Sequence, residues 1–296
     1  MTQAFEWARI FSLSTPRPPA VVCTIRERPG RCQDTTKQTA LQRDLDTVAC
    51  SASAGPLDYG VFSDDPDRFR NRLIAFAHDA LTHEPVGFVA MPLLEIHLNG
   101  TRTQLAHLGL AMVDERRQCT GIVSLLYGLC GLYLLARNRG RPMWISNVSQ
   151  IPRVIGAVCE HFDCVYPGPA PSTVASPEHR SIADTLMRSH RATFGVAEEA
   201  GFDPERFVIT DAYTGGSDAL KKPYTSDIEH SDARYNAFCR DWLDYDRGDD
   251  FLQIGRVSIF TVARFVAHGV HRCLGSRTRS ILEPLGRVSR MRGASF

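Results

Sequence analysis

His107-Leu-Gly-Leu-Ala-Met-Val113-Asp-Glu-Arg-Arg-Gln118-Cys-Thr-Gly121-Ile-Val123 is the stretch that decides how this chain is read. Leu108, Leu110 and Met112 alternate with His107, Gly109, Ala111 and Val113, the period of two that a strand needs. Asp114 to Gln118 interrupt the alternation with charge. From Gly121 onward, Ile122, Leu125, Leu126, Leu129, Leu132 and Leu135 recur at helical spacing. The expectation is a strand, a tight polar turn and a helix. A turn of this kind leaves backbone N–H groups free at the helix start, and the helix dipole adds partial positive charge there. It therefore suits a phosphate or pyrophosphate.

Within this stretch, Gln118-x-x-Gly121-x-Val123 resembles the Gln/Arg-x-x-Gly-x-Gly/Ala signature of the GNAT superfamily of N-acetyltransferases. In that family a strand ending in Val stands five residues before the Gln/Arg, and Val113 holds that place. Val123 stands where the family has Gly or Ala. The resemblance implies the acyl-CoA N-acyltransferase fold: an α/β (α+β) protein with a mixed, largely antiparallel sheet flanked by helices. It also implies acetyl-CoA or another acyl-CoA as co-substrate. The turn from Gln118 through Cys119, Thr120, Gly121, Ile122 and Val123 would hold the pyrophosphate. Met112 and Val113 would pair with the pantetheine amides. The family often has an Asn at the start of the later helix, touching the cofactor; Asn147 and Gln150 both suit that role, and Gln150 has the commoner spacing to Phe162.

Composition bounds the rest. A chain of 296 residues can bury a sizeable core and is long for one domain. Hydrophobic content of 43% and charged content of 23% are ordinary for a globular protein. A net charge of +1 gives no global pull toward nucleic acid or membrane. The nine cysteines form no CxxC pair, and several sit in apolar runs, which points to reduced thiols and a cytoplasmic setting. Glu6 and Arg9 interrupt the first apolar residues, so no signal peptide is expected, and no stretch suggests a bilayer span. Nucleophile-elbow, Walker and Rossmann motifs are absent. His268-x-x-His271-x-Cys273 lacks an obvious fourth ligand, and no metal is expected.

Taken in order, Pro19 to Ile25 reads as a strand, Lys37 to Val48 as a helix and Ser51 to Gly60 as a loop. Arg72 to His78 and Val86 to Met91 read as strands, the second with room to run on through Leu93 to His97. Asn99-Gly100 is a strong hairpin turn. This makes a meander of three antiparallel strands ahead of the phosphate turn, the order that the resemblance requires. Met143 to Ser146 reads as a strand, Asn147 to Gln150 as mostly polar, Ile151 to Phe162 as a helix and Phe162 to Pro167 as a strand. Residues 1–167 form the expected core, best supported over 60–167.

Residues 168–296 are expected to form a C-terminal α/β extension, packed on the core or dimerising. Pro169, Pro171, Ser172 and Pro177 read as a linker, Ser181 to Phe194 and Ala233 to Leu243 as helices, and Phe207 to Thr210 and Phe251 to Gly255 as strands. Val257 to Leu274 has an apolar face and a basic tail. It reads as a packed terminal helix, with weak contact to a membrane surface or an acidic partner as the alternative.

Amide formation from a thioester needs a base for the amine, polarisation of the carbonyl and a proton for the leaving thiolate. His107 is the candidate base, since an unperturbed His titrates near 6.5; histone-type members of the family carry a catalytic Glu at that position. Glu95 and His97 on the neighbouring strand follow. Many family members have an acidic Tyr five residues before the Phe that opens the following strand, and Ala157 stands there if that Phe is Phe162. Cys159, His161 and Tyr166 are nearby substitutes. The expected activity is acyl-CoA-dependent N-acyl transfer to a small-molecule amine. The alternatives are a long-chain or carrier-protein-linked donor, and a non-catalytic binding protein of the same fold.

Overall fold

The computed structural model describes residues 20–32, 34–52, 60–213, 221–265 and 267. Val21, Cys23 and Ile25 are buried and alternate with half-buried neighbours, so Val21–Glu27 forms strand β1. Helix α1, Thr35–Ser51, is started by Asp34, whose carboxylate accepts from the Thr36 and Lys37 amides. β2 (Arg72–Asp79), β3 (Pro85–Leu98) and β4 (Thr101–His107) continue an antiparallel meander. Its last turn is Asn99-Gly100, with φ of 51° and 73°, the left-handed pair that a two-residue hairpin requires.

Three residues, Ala111–Val113, form the short strand β5, and α2 runs over Ile122–Arg137. They are followed by β6 (Met143–Ser149), α3 (Pro152–His161), β7 (Asp163–Tyr166), α4 (Pro177–Ser189), β8 (Gly201–Asp203), β9 (Val208–Thr210), α5 (Ala233–Trp242) and β10 (Asp250–Val257).

The ten strands form one mixed, largely antiparallel sheet in the order β1-β2-β3-β4-β6-β10-β9-β8, with β5 paired to β3 and β7 to β10. Only β4 and β6 run parallel among the described pairs. β10 lies between β6 and the β7 and β9 strands. The boundary expected at residue 167 therefore falls between two strands that pair in one sheet. After β7 the chain forms α4, adds β8 and β9 at one end of the sheet, and passes through α5 before β10 enters its interior.

Both faces are covered. Leu126, Leu129, Cys130 and Leu134 of α2 bury against alternate residues of β1, β2 and β3. On the opposite face, Leu41, Leu45 and Val48 of α1 pack on Ile74, Phe76 and Phe88. Ile182, Leu186 and Met187 of α4 pack on Leu94, Leu105, Leu252 and Ile254. A strand covered on both sides reads as a continuous apolar run, which is why β3 extends over 14 residues.

Some elements differ from the sequence reading. The strand expected over His107 to Val113 is broken after His107. Asn147 to Ser149, expected as a polar segment, are strand because β10 pairs with them. The helix expected from Ser181 begins at Pro177, set by a capping box between Ser176 and His179, and passes at Arg191–Phe194 into a 3-10 turn. Residues 259–265 are helical. The rest of the expected terminal helix, its basic tail, and His268, His271 and Cys273 lie outside the described residues, as does the N-terminal segment. No described helix is long and apolar enough to cross a membrane.

Candidate active site

The break after His107 creates the site. Four steps along β3 separate Leu93 from Val89, but five separate their partners Ala106 and Ala111. One extra residue is thus inserted opposite β3, a β-bulge. Pro92, inside that interval, has no N–H for the ladder. Gly109 fits there because a Cβ would meet the Ala90 carbonyl oxygen at 2.3 Å and Pro92 Cδ at 2.9 Å. The Tyr127 hydroxyl donates to the Gly109 carbonyl at 3.2 Å and fixes the bulge from the helix side.

Beyond the bulge the chain follows β3 and leaves β6. Pairing with β6 ends at His107–Ser146, closed by the Leu108 amide on the Ser146 carbonyl. β5 then pairs only with β3, while β6 turns to β10. No described ladder joins β5 to β6, and this unpaired interval is the gap. Ala90 donates to the Leu110 carbonyl and Asp114 donates to the Val86 carbonyl. Backbone groups alternate sides along an antiparallel pair. Leu110, Met112 and Asp114 therefore bond toward β3, and Ala111 and Val113 present N–H and C=O to the gap. Of the two residues expected to pair with a pantetheine, Val113 turns its backbone groups away from β3. Met112 does not, because its backbone is turned to Phe88; Ala111 takes its place.

The gap runs toward the start of α2. Asp114 caps a 3-10 turn over Glu115–Arg117. Cys119 adopts a φ of 61° and Gly121 one of 87°. Gly121 is the N-cap and offers no side chain, so no side chain caps the first amides of α2. Gln118, Cys119 and Thr120 are exposed. Val123 is 36% exposed, so its branched side chain stands at the rim. Arg116 is exposed and has no carboxylate partner among the described residues, whereas Arg117 pairs with Asp79.

The expected proton-transfer residues are held in other roles. His107 is 5% exposed, its Nδ1 lies 3.0 Å from Ser146 Oγ, and its ring packs at 4.3 Å on Phe194. Burial, reinforced by the Arg72 charge, pushes its pKa down to about 3. The imidazole is therefore neutral at physiological pH and, in this buried setting, a weak proton acceptor. Glu95 is exposed and paired with Arg102, whose hydrogen bond holds the carboxyl below its ordinary range. The Tyr166 hydroxyl donates to the Glu205 carbonyl, away from the gap. Asn147 donates to Gln253 at 3.1 Å, so its amide is engaged there.

The arm formed by β6 and β10 holds a group the sequence reading missed. Asp250 is fully buried. Tyr213 donates to its Oδ2, Gln150 Nε2 donates to the Tyr213 hydroxyl at 3.2 Å, and Oδ1 has no hydrogen-bond partner among the described residues. Burial pushes the Asp250 carboxyl up to about 7, against the lowering effect of the Tyr213 hydrogen bond. Its neighbour Asp249 forms a two-pronged pair with Arg247, at 2.7 and 2.6 Å. The signal was present as two acids entering an apolar strand, but sequence alone does not say which one is buried. Among the described residues no group of three or more metal-ligating side chains forms.

No family model matches the sequence. No curated protein matches it either. Several solved structures are similar in part. One, a conserved protein of unknown function from Enterococcus faecalis described as a probable N-acyltransferase, is 11% identical, with a TM-score of 0.32 over 48% of this chain. The match spans 32%, about a third, of that protein. A GNAT family acetyltransferase from Brucella melitensis, in complex with acetyl-CoA, is 18% identical over 42% of this chain and 74% of its own, with a TM-score of 0.28. An aminoglycoside acetyltransferase from an uncultured soil metagenomic sample, in complex with sisomicin, is 19% identical over 39% and 71%, with a TM-score of 0.27. Likenesses this distant leave the functional reading to the geometry of the gap.

Proposed function

We propose that the chain is an acyl-CoA-dependent N-acyltransferase acting on a small-molecule amine. The observation that carries this reading is the gap between β5 and β6, lined by the Ala111 and Val113 backbone and continuous with the uncapped start of α2. An extended amide-bearing ligand can pair with those backbone groups as an added strand would. A diphosphate is the natural ligand for the free amides of α2 at Ile122, Val123 and Ser124. The residues present thus fit coenzyme A at both ends, and when bound it supplies the activated thioester carbonyl.

The chain's own residues then position and move a proton. Asp250 is the group whose protonation changes near neutrality. In this reading the Tyr213 oxygen takes the amine proton while its own proton passes to Asp250 Oδ2. His107 serves to hold Phe194 and Ser146 in place beside the bulge.

Thermal unfolding with acetyl-CoA, a long-chain acyl-CoA and free coenzyme A tests the reading. At about a hundred times the dissociation constant each ligand adds about 2.7 kcal/mol of stability, a visible rise in Tm. Their ranking reports acyl length. No rise with any of the three overturns the site.

A second reading, a non-catalytic binder of the same ligand, is favoured by two observations: His107 is held neutral, and Ala157 stands where the resemblance expects Tyr. Ligand binding with no thiol release over a panel of amines decides for it.

A further inference from the structure

A cavity of about 600 Å³ lies on the sheet face between α1 and α4. Its floor is β3 from Pro92 to Glu95. The segment before β2 contributes Arg68 and Arg70, and β2 itself begins with Arg72. The turn after β1 adds Arg31, β4 adds Arg102, and His190 and Thr193 close it from the end of α4.

The cavity adjoins the proposed acyl-transfer gap. Pro92, in its floor, abuts Gly109 at the bulge. Thr193, in its wall, precedes Phe194, whose ring lies on His107. The Arg72 charge reaches His107 strongly enough to lower its pKa further.

Its charge is unbalanced. Five arginines line it against Asp65, Asp67 and Glu95. Arg70 is neutralised by Asp67 at 3.0 Å and Arg102 by Glu95. Arg31 reaches only the neutral Asn71 amide, at 3.1 Å. Arg68 reaches the Asp65 carbonyl and the Gln42 side chain, each at 3.3 Å. Arg72 donates Nε to the Arg68 carbonyl at 2.5 Å, and no carboxylate pairs with it among the described residues. Burial lowers Arg72 only to about 10, so it remains a cation at neutral pH. Asp65, the remaining carboxylate of the lining, acts on Arg72 without pairing with it, so Arg31, Arg68 and Arg72 share one counter-charge, and a bound anion relieves the cost of the excess. The planar guanidinium, whose Nη groups make no hydrogen bond among the described residues, suits an oxyanion in particular.

We infer that the acceptor amine carries an anionic group, a carboxylate or a phosphate, which Arg72 holds in this cavity with help from Arg31 and Arg68. This rests on the acyl-transfer reading for what happens to the amine, but the anion site itself is testable without it.

Calorimetry with inorganic phosphate and with succinate measures the anion site alone. Binding that falls about tenfold in Arg72→Gln and recovers in part in Arg72→Lys supports it. Arg31→Gln, at an exposed position, serves where Arg72→Gln does not fold, and weakens binding by a smaller factor. No binding of either anion to the wild-type protein overturns the inference, as does binding that neither variant changes.

Thiol release with β-alanine, O-phosphoethanolamine, ethanolamine and spermidine then tests the acceptor. The expected result is at least about a tenfold preference in kcat/KM for one acidic amine over ethanolamine, abolished in Arg72→Gln. Preference for β-alanine identifies a carboxylate, and preference for O-phosphoethanolamine a phosphate. Release with ethanolamine or spermidine at equal or higher efficiency overturns the inference and leaves the acyltransferase reading standing. Anion binding without any rise in Tm from coenzyme A overturns the acyltransferase reading and leaves the anion site.

Discussion

Gly109 and Pro92 meet where the central strand changes partners: a Cβ on Gly109 would stand 2.9 Å from Pro92 Cδ and 2.3 Å from the Ala90 carbonyl oxygen. Backbone lies on the far side of that contact, so it cannot yield as a flexible side chain would. Gly109→Ala should cost about 1–3 kcal/mol in urea denaturation. It should also weaken coenzyme A binding, because the bulge sets where β5 leaves β6. Unchanged stability and unchanged affinity would show that the bulge tolerates a side chain.

His107 should remain neutral across the working pH range. Its folded pKa is depressed from 6.5 to about 3, so its contribution to stability is present above about 6.5 and is lost as pH falls toward 3. The imidazole signals in NMR should not titrate between pH 5 and 8. His107→Gln, which keeps a polar partner for Ser146, should retain activity within about tenfold. A loss of several hundredfold would restore His107 as the base.

Asp250 gives the opposite dependence. Its folded pKa is raised from 3.8 to about 7, so the fold retains a proton that the unfolded chain releases. The corresponding stability is present below about 3.8 and declines as pH rises to about 7, with a slope of up to about 1.4 kcal/mol per pH unit. Asp250→Asn should flatten that slope in urea titrations run from pH 4 to 8. It should also remove the limb near pH 7 from the kcat/KM profile.

The backbone of β5 separates ligand binding from sheet pairing. Met112→Pro removes an N–H directed to β3 and should cost about 3 kcal/mol of stability. Val113→Pro removes one directed to the gap. It should cost less stability and about tenfold in coenzyme A affinity, compared by unfolding and calorimetry. Equal stability losses with equal affinities would mean that the gap is not lined as described.

Tyr166 anchors the loop before β9 through its bond to the Glu205 carbonyl. Tyr166→Phe should lower stability by about 1 kcal/mol and leave kcat within twofold. A large loss of kcat with unchanged stability would return Tyr166 to the list of proton donors.

The local patterns were legible in the sequence because their causes are local. Short apolar runs identified β1 to β3, the Asn99-Gly100 pair set the hairpin, and Leu spacing from Gly121 identified α2. The strand–turn–helix pattern located the turn at Gln118 to Val123 ahead of α2. What the sequence left open depends on contacts between distant residues. The break in the central strand follows from Pro92 and Gly109 lying opposite each other across two strands. The place of β10 beside β6 turned a polar segment into strand and drew residues after 168 into the sheet interior. Burial decided the setting of individual groups: it lowers the pKa of His107 and raises that of Asp250, while Asp249, one residue away, pairs with Arg247. A residue's type sets which protons and charges it can carry; the water and partners left to it in the folded chain decide which of them it does.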